Sequence, residues 1–279
     1  QGYSSAASDV YKRQFYSCIT PSSSGGQPAQ VFYMKKDGIK IGFSSLIMLV
    51  VTVAYKAVLV IFGVLFFIFR HSFVVEHVGS WMWLLIIGFI LNLAYIGGLV
   101  FIFFRPMWAR SAGIKIINFL CRIHFLKQKN NEKYLNKIDR VCDNYIKGAE
   151  YIKNNVRAIV NIFLITAVQR LFLLTVTYVV YRSYGLSGTG FIGIIAIQTM
   201  ISITVEMLPL PGAAGITEAC FIVMFSGIFS DGYVRSGMLL SRGLSFYCLL
   251  IMSAAVTFAA HILCMRKSAA EEHEKDGNR

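Results

Sequence analysis

The chain has 279 residues, of which 56% are hydrophobic and only 15% are charged, and its mean hydropathy is +0.60. Soluble domains carry about 25% charged residues, so this composition excludes an ordinary soluble enzyme; the apolar content also excludes a disordered chain. The formal net charge of +13 indicates an anionic partner, either nucleic acid or the inner leaflet of a membrane. Long apolar segments favour the membrane, so we expect no nucleic-acid partner.

The N-terminal stretch differs from the rest of the chain. Residues 1–14 read QGYSSAASDVYKRQ, which is polar and without periodicity, and SAASDVYKRQ looks like a translated sequencing adaptor. No apolar segment follows its basic residues as a signal peptide requires. We therefore predict that residues 1–14 are non-native and that helices are missing before Phe15. The predicted membrane domain then covers residues 15–267, and residues 268–279 form a polar tail.

Apolar segments, about six in number, predict an all-α, polytopic helical membrane protein. A helix needs about 20 residues to cross a bilayer, so the first, second, third and sixth segments are long enough. The fourth is marginal, and the fifth is too short alone, which favours a tilted, broken or re-entrant helix there. The segments cover residues 39–69, 81–104, 158–181, 191–208, 216–229 and 237–264.

Basic residues give these segments an orientation. Residues 105–157 contain twelve Lys or Arg against four Asp or Glu, which places this loop in the cytoplasm and makes residues 70–80 an external loop. Apolar residues recur at helical spacing from Tyr134 to Tyr145 within the cytoplasmic loop. This pattern predicts an amphipathic helix that either lies on the headgroups or packs on the helix bundle.

Two clusters of proline and glycine adjoin the apolar segments. The first is PSSSGGQP at residues 21–28, and the second is LPLPGAAGITE at residues 208–218. Proline removes a backbone donor and glycine relaxes the backbone, so both clusters break a helix. Broken helices are tolerated in a bilayer inside protein or along a watery cavity, and paired breaks in transporters point to the substrate site. The alternative is a pair of ordinary turns at the membrane surface.

Several charged side chains lie within or beside the apolar segments. A charge at the bilayer centre costs about 2.5–3.5 kcal/mol on insertion scales, so Lys56 and Arg170 predict buried partners, either a carboxylate or a lipid phosphate. Lys56 has the alternative of snorkelling to one face. Glu206 is a candidate gate or counter-ion, or an interfacial charge. Glu218 either binds a cationic headgroup or a proton, or caps the helix that it begins. Arg242 is predicted to be an interfacial anchor.

The chemistry expected of these residues is lipid binding. The six cysteines do not follow metal-ligand spacing, and no nucleophile–base, metal or phosphate-loop motif is present in the sequence, so we predict no metal, no cofactor and no catalytic residue. The candidate lipid-binding residues are Gly25, Gly26, Gln27, Pro28, Lys56, Arg170, Glu206, Pro209, Pro211, Gly212, Gly215 and Glu218.

Both clusters also carry a family resemblance. The second, PLPGAAGITEACFIVMF, resembles the P-x-P-G-x-x-G-x-x-E signature of the lysylphosphatidylglycerol synthase transmembrane region, a flippase-like family of bacterial membrane proteins. The first, ITPSSSGGQPAQVFYMKKDGI, is similar to the ITPSATGGQP-type stretch of family members. The resemblance covers roughly residues 15–264. It departs from the family pattern at Ala213, where members often have a second glycine.

The resemblance implies a multi-pass protein of the bacterial cell membrane. Its expected function is to bind or translocate an anionic or aminoacylated phospholipid, such as lysyl-phosphatidylglycerol, and so to give resistance to cationic antimicrobial peptides. In the family's founding enzymes a separate soluble domain performs lysyl transfer to the lipid, and we expect this chain to lack that activity. The alternatives are a membrane-bound lipid-modifying transferase, by family name a phosphatidylglycerol lysyltransferase, and an accessory subunit with a soluble synthase partner.

Overall fold

A computed structural model describes residues 2–20, 25–108, 110–111, 114–115, 131–230 and 232–259 of the chain. The secondary-structure elements of this part are helices, which we number in chain order. They are α1 (Gly2–Ile19), α2 (Gly26–Lys36), α3 (Ile41–Phe69), α4 (His71–Val78), α5 (Met82–Phe104), α6 (Asn131–Lys153), α7 (Val156–Ser183), α8 (Phe191–Val205), α9 (Ile216–Phe225) and α10 (Val234–Ala259, with a π turn at Gly243–Tyr247).

The helices divide into long and short ones. Four stretches are long and apolar enough to cross a membrane, namely α3, α4 together with α5, α7, and α10. The apolar helices α8 and α9 are shorter. At about 1.5 Å per residue, the 15 residues of α8 extend about 22 Å, less than the roughly 30 Å of a bilayer core. The predicted all-α, polytopic membrane class is confirmed.

The predicted loop conformation of residues 70–80 is wrong, because most of this segment is α4, whereas its external location stays a prediction. Val74 and Val78 lie one helical turn apart and are fully buried. They belong to the main hydrophobic cluster, together with residues of α8 and α9. Burial of this short apolar stripe stabilises a helix that would be marginal alone in water.

The N-terminal stretch is helical as well. Helix α1 begins at Gly2, includes the residues that the sequence analysis set aside, and ends at Ile19, so Phe15 lies in its last turns. It packs against α2, and α2 packs against α3. The non-native origin of residues 1–14 stays a prediction.

Helices α8 and α9 pack against each other as a hairpin, which we call the second hairpin. Helix α4 contacts both of them. A methyl group added at Gly193, near the start of α8, would lie 3.3 Å from the Phe73 ring; one at Gly227, just after α9, would lie 3.6 Å from His77. Both open ends of the hairpin therefore lie beside α4, at the end of the bundle where α3 ends. The turn between α8 and α9 lies deep in the helix bundle.

Helices α1 and α2 form a first hairpin that enters from the opposite side. Helix α2 ends at Lys36, shortly before α3 begins at Ile41, so its open end lies at the same end of the bundle as the start of α3. At its inner end, Gln27 Nε2 donates to Thr52 Oγ1 at 3.0 Å, in the middle part of α3. The first proline of the predicted break, Pro21, and residues 22–24 lie outside the described residues.

Helix α6 packs on the bundle through close glycine contacts. Gly148 of α6 lies against Leu46 of α3, and Gly42 of α3 lies against the backbone of α6. Ala149 is buried in a small apolar cluster with Leu46. Between the two alternatives for this amphipathic helix, the structure therefore shows packing on the bundle.

Outside the membrane-spanning helices, Arg110 Nε donates to Asp139 Oδ1 at 2.7 Å. This hydrogen bond holds the pKa of the Asp139 carboxyl below its ordinary value. The ion pair links the segment that follows α5 to α6. It is exposed to solvent, so we expect it to contribute little to overall stability.

Candidate functional site

A charge cluster lies where α3, α7 and the end of α8 meet. Glu206 follows the last residue of α8. Its Oε1 accepts a hydrogen bond from Arg170 Nη2 at 2.7 Å, and its Oε2 lies 3.4 Å from Lys56 Nζ. The side chains of Lys56, Arg170 and Glu206 are 10%, 7% and 19% exposed. The sequence predicted buried partners for both cations, and the structure gives them one shared carboxylate.

An aromatic ring completes this cluster. The Arg170 guanidinium stacks over the Tyr55 ring at 3.6 Å from its centroid. Arg13 of α1 interacts electrostatically with Tyr55, so the first hairpin also approaches the cluster. Arg170 Nε is buried without a hydrogen-bond partner among the described residues. One edge of the guanidinium therefore keeps an unused donor.

The cluster carries an excess of positive charge, since two cations face one carboxylate. Lys56 and Arg170 lie near the middles of α3 and α7, far from both ends of these helices. Ion pairs in surroundings of low dielectric constant interact strongly, and a buried uncompensated charge is unfavourable without a counter-ion or water. The arrangement is therefore suited to attract an anion to the middle of the bundle.

Glu218 organises the deep turn of the second hairpin. Its Oε2 accepts from the Gly215 backbone N–H at 2.6 Å, which caps α9, and its Oε1 accepts from Arg242 Nε at 3.0 Å. Arg242 also donates to the Gly212 carbonyl oxygen and stacks on Phe246. The capping alternative for Glu218 thus matches the geometry, whereas its binding of a headgroup stays a prediction.

The predicted interfacial role of Arg242 is wrong. Its side chain is 14% exposed and holds the turn from within α10. The residue lies directly before the π turn at Gly243–Tyr247. Insertions of this kind in α-helices occur frequently at functional sites.

The backbone of the same turn explains a feature of the signature. Gly212, Ala213 and Gly215 have φ values of 57°, 50° and 85°, in the left-handed region that favours glycine. The second glycine that family members often have at position 213 therefore fits the conformation found there. Pro209 and Pro211 are exposed, so the described helices do not enclose the tip of the turn. Irregular backbone at this depth requires a protein, water or ligand neighbour.

The candidate residues of the first hairpin mostly serve close packing. The Gly25 backbone N–H donates to Thr20 Oγ1 at 2.8 Å. Gly26 is buried, and an added methyl group would meet the Ser17 hydroxyl and the Arg13 backbone carbonyl. Pro28 is an exposed residue in the first turn of α2, where its missing N–H is tolerated. Gln27 alone among these four extends a polar side chain to another helix, through its bond to Thr52.

A second group of polar side chains joins α7, α8 and α10. Thr177 Oγ1 lies 3.0 Å from Gln198 Oε1 and 2.8 Å from Ser241 Oγ. Gln198 and Ser241 line a cavity of about 40 Å³, which extends to Glu218. A polar cavity of this size is large enough for water.

The structure thus brings Lys56, Arg170 and Glu206 into direct contact. Gln27 of α2 bonds to Thr52, which lies one helical turn before Lys56 on α3. The predicted set lacks residues for which a sequence signal existed. Thr52 lies four positions before Lys56, and Gln198 lies eight before Glu206, so each pair shares a helix face. Tyr55 gave no such signal, since a tyrosine beside a lysine in an apolar helix is ordinary.

Comparisons with known proteins add one match. The family model described as "Lysylphosphatidylglycerol synthase TM region" matches residues 3–253. This range contains both hairpins, the charge cluster and most of the N-terminal stretch that the sequence analysis set aside. No curated protein and no solved structure gives a significant match to the chain.

Proposed function

The chain belongs to the lysylphosphatidylglycerol synthase transmembrane-region family, and we propose on this basis that it is a lipid flippase. Its substrate is an anionic or aminoacylated phospholipid, such as lysyl-phosphatidylglycerol, and its location is the bacterial cell membrane. The observation that carries the proposal is the buried cluster of two cations and one carboxylate at Lys56, Arg170 and Glu206. Such a cluster offers a phosphate group favourable interactions at a depth where lipid tails offer none.

The two hairpins support a path through the bilayer. They enter from opposite sides, and polar residues connect the inner end of the first to the turn of the second. Discontinuous helices that meet near the bilayer midplane are typical of transporter substrate sites. A headgroup could move along this polar face while its acyl chains stay in lipid.

The proposed physiological effect follows from charge. Lysyl-phosphatidylglycerol carries an additional amino group, so its transfer to the outer leaflet reduces the negative surface potential there. Cationic antimicrobial peptides are attracted to membranes by that potential. Export of the lipid would therefore weaken peptide binding and give resistance.

The test is lipid translocation by the purified chain in liposomes. Fluorescent phosphatidylglycerol or lysyl-phosphatidylglycerol is placed in both leaflets, and the fraction accessible to an impermeant quencher is followed over time. We expect the unmodified chain to raise this fraction above that of protein-free liposomes. Arg170→Gln should abolish the increase, because it removes the donor to Glu206 and half of the cationic charge.

Arg157→Gln is the matched control. Arg157 is an exposed arginine at the start of the same helix, so this variant makes an identical chemical change away from the cluster. It should translocate lipid as the unmodified chain does. Equal translocation by Arg170→Gln and Arg157→Gln, or none by the unmodified chain, would refute the proposed function.

A further inference from the structure

We propose that the charge cluster is a binding site for one phosphate group and that Glu206 is its internal competitor, which a substrate phosphate displaces from Arg170 and Lys56. This inference rests on the proposed function, since it names the part of the lipid that the site recognises. In this proposal Glu206 competes with the phosphate of the lipid and does not bind a cationic headgroup.

The hydrogen-bond geometry at Arg170 is the first argument. Nε and Nη2 lie on one edge of a guanidinium, and together they form the fork that binds phosphates and carboxylates through two parallel bonds. Glu206 uses only Nη2, at 2.7 Å, while Nε is buried and has no partner among the described residues. An anion with more oxygen atoms than a carboxylate can satisfy both donors and still contact Lys56.

The position of Lys56 is the second argument. Its Nζ lies 3.4 Å from Glu206 Oε2, which is long for a charge-assisted hydrogen bond. The carboxylate thus lies between two cations, but it leaves Arg170 Nε without a partner among the described residues and makes only a long contact with Lys56. A phosphate oxygen at this place would have a cation on each side and would neutralise the excess positive charge.

The charges around the cluster favour the same ligand. Tyr55 covers one face of the guanidinium, and Arg13 of the first hairpin adds a further positive charge nearby. The sequence carries no charged residue from position 20 to position 28, on either side of the start of α2. Glu206 is therefore the anion already present, and an incoming anion has to compete with it.

Displacement of Glu206 has a structural consequence. The residue lies at the junction between α8 and the turn that carries Pro209 and Pro211. Its ion pairs attach this junction to α3 and α7, so their exchange for a phosphate removes this attachment and leaves the hairpin held to α10 by Glu218 and Arg242. Ligand binding and loss of this attachment are then one event.

The test is anion binding by the purified full chain in maltoside micelles, measured by isothermal titration with short-chain phosphatidylglycerol. Glu206→Gln removes the competitor while keeping the size of the side chain. We expect it to bind the lipid about tenfold more tightly, the order expected for one charged hydrogen bond. Arg170→Gln should lose binding. Glu150→Gln makes the same change of net charge at an exposed position on α6 and should bind as the unmodified chain does.

Titration with inorganic phosphate identifies the source of the ligand. Binding of the lipid alone assigns the site to a headgroup, and binding of both assigns it to the phosphate group itself; either result supports the site. Unchanged or weaker lipid binding by Glu206→Gln overturns the inference.

A second variant allows the same test if the first one does not fold. Should Glu206→Gln fail to fold, Glu206→Asp keeps the charge but withdraws it by one methylene, and tighter binding is again expected. Translocation by the unmodified chain together with weaker binding by the variant would overturn the competitor role alone. Tight binding without translocation by any form would overturn the proposed function alone.

Discussion

Helix α5 packs closely against the backbone of α8 at Gly88, near the charge cluster. A methyl group at this position would lie 2.5 Å from the Ile203 carbonyl oxygen and 2.9 Å from Thr204 Cα. Both are backbone atoms of α8, so neither can move away without a shift of the helix. Ordinary contacts begin near 3.4 Å, so Gly88→Ala requires α5 and α8 to separate by nearly 1 Å.

The expected loss of stability can be estimated from the contacts. Overpacking of this kind typically costs about 1–3 kcal/mol. Separation of the helices also weakens the hydrogen bond from Asn92 Nδ2 to the Ile203 carbonyl, now 3.3 Å, which contributes about 0.5–1.5 kcal/mol. Alanine gains about 0.5–1 kcal/mol over glycine in a helix. We therefore expect Gly88→Ala to lower the free energy of unfolding by about 1–3 kcal/mol.

The assay is reversible unfolding in mixed micelles by titration with a denaturing detergent. Gly97→Ala is the matched control, because Gly97 lies in the same helix and an added methyl group there meets no atom within 4 Å. This control should be unchanged or more stable by about 0.5–1 kcal/mol. Equal free energies of unfolding for the two variants would refute the packing argument.

Three further predictions concern other contacts. Gly42→Ala places a methyl group against a backbone carbonyl of α6, so α6 should be cleaved faster in limited proteolysis; protection equal to the unmodified chain would contradict this. The pKa of Asp139 is lowered by Arg110, so the stabilisation of α6 by this pair is present above the ordinary Asp pKa of about 3.9 and is lost as pH falls through the folded value. Proteolysis at acid pH should show this loss, and Asp139→Asn should abolish the dependence on pH. Ala213→Gly relieves a φ of 50° and should raise the free energy of unfolding by about 0.5–1 kcal/mol, whereas an unchanged value would show that the turn is unstrained.

The sequence was sufficient for the local features of this fold. Apolar length alone identified the spanning helices, because a bilayer requires long uninterrupted apolar stretches. Proline and glycine identified both broken helices, since these residues act on the backbone where they stand. Helix α4 was missed because His71, Glu76 and His77 obscure the apolar spacing of Val74 and Val78, and tertiary burial decides its conformation.

Contacts between distant residues could not be predicted in this way. Lys56 and Glu206 are 150 positions apart in the sequence and meet only because α8 turns back at the depth where α3 carries its lysine. The sequence suggested a carboxylate partner for Lys56 and Arg170 without indicating which one. Arg242 was misjudged because the predicted segment began at Gly237, whereas the helix begins at Val234 and a turn of the second hairpin reaches it from within.

The two hairpins differ in what holds them. The carboxylates of the second hairpin, Glu206 and Glu218, each pair with cations on helices outside it, on α3 and α7 in one case and on α10 in the other. Movement of this hairpin therefore separates opposite charges in surroundings of low dielectric constant. This separation is unfavourable unless another anion takes the place of the carboxylate beside the cations. The sequence, by contrast, carries no charged residue from position 20 to position 28. Release of the second hairpin would therefore depend on an anionic ligand, so a lipid without a phosphate charge could enter the path but would not open it.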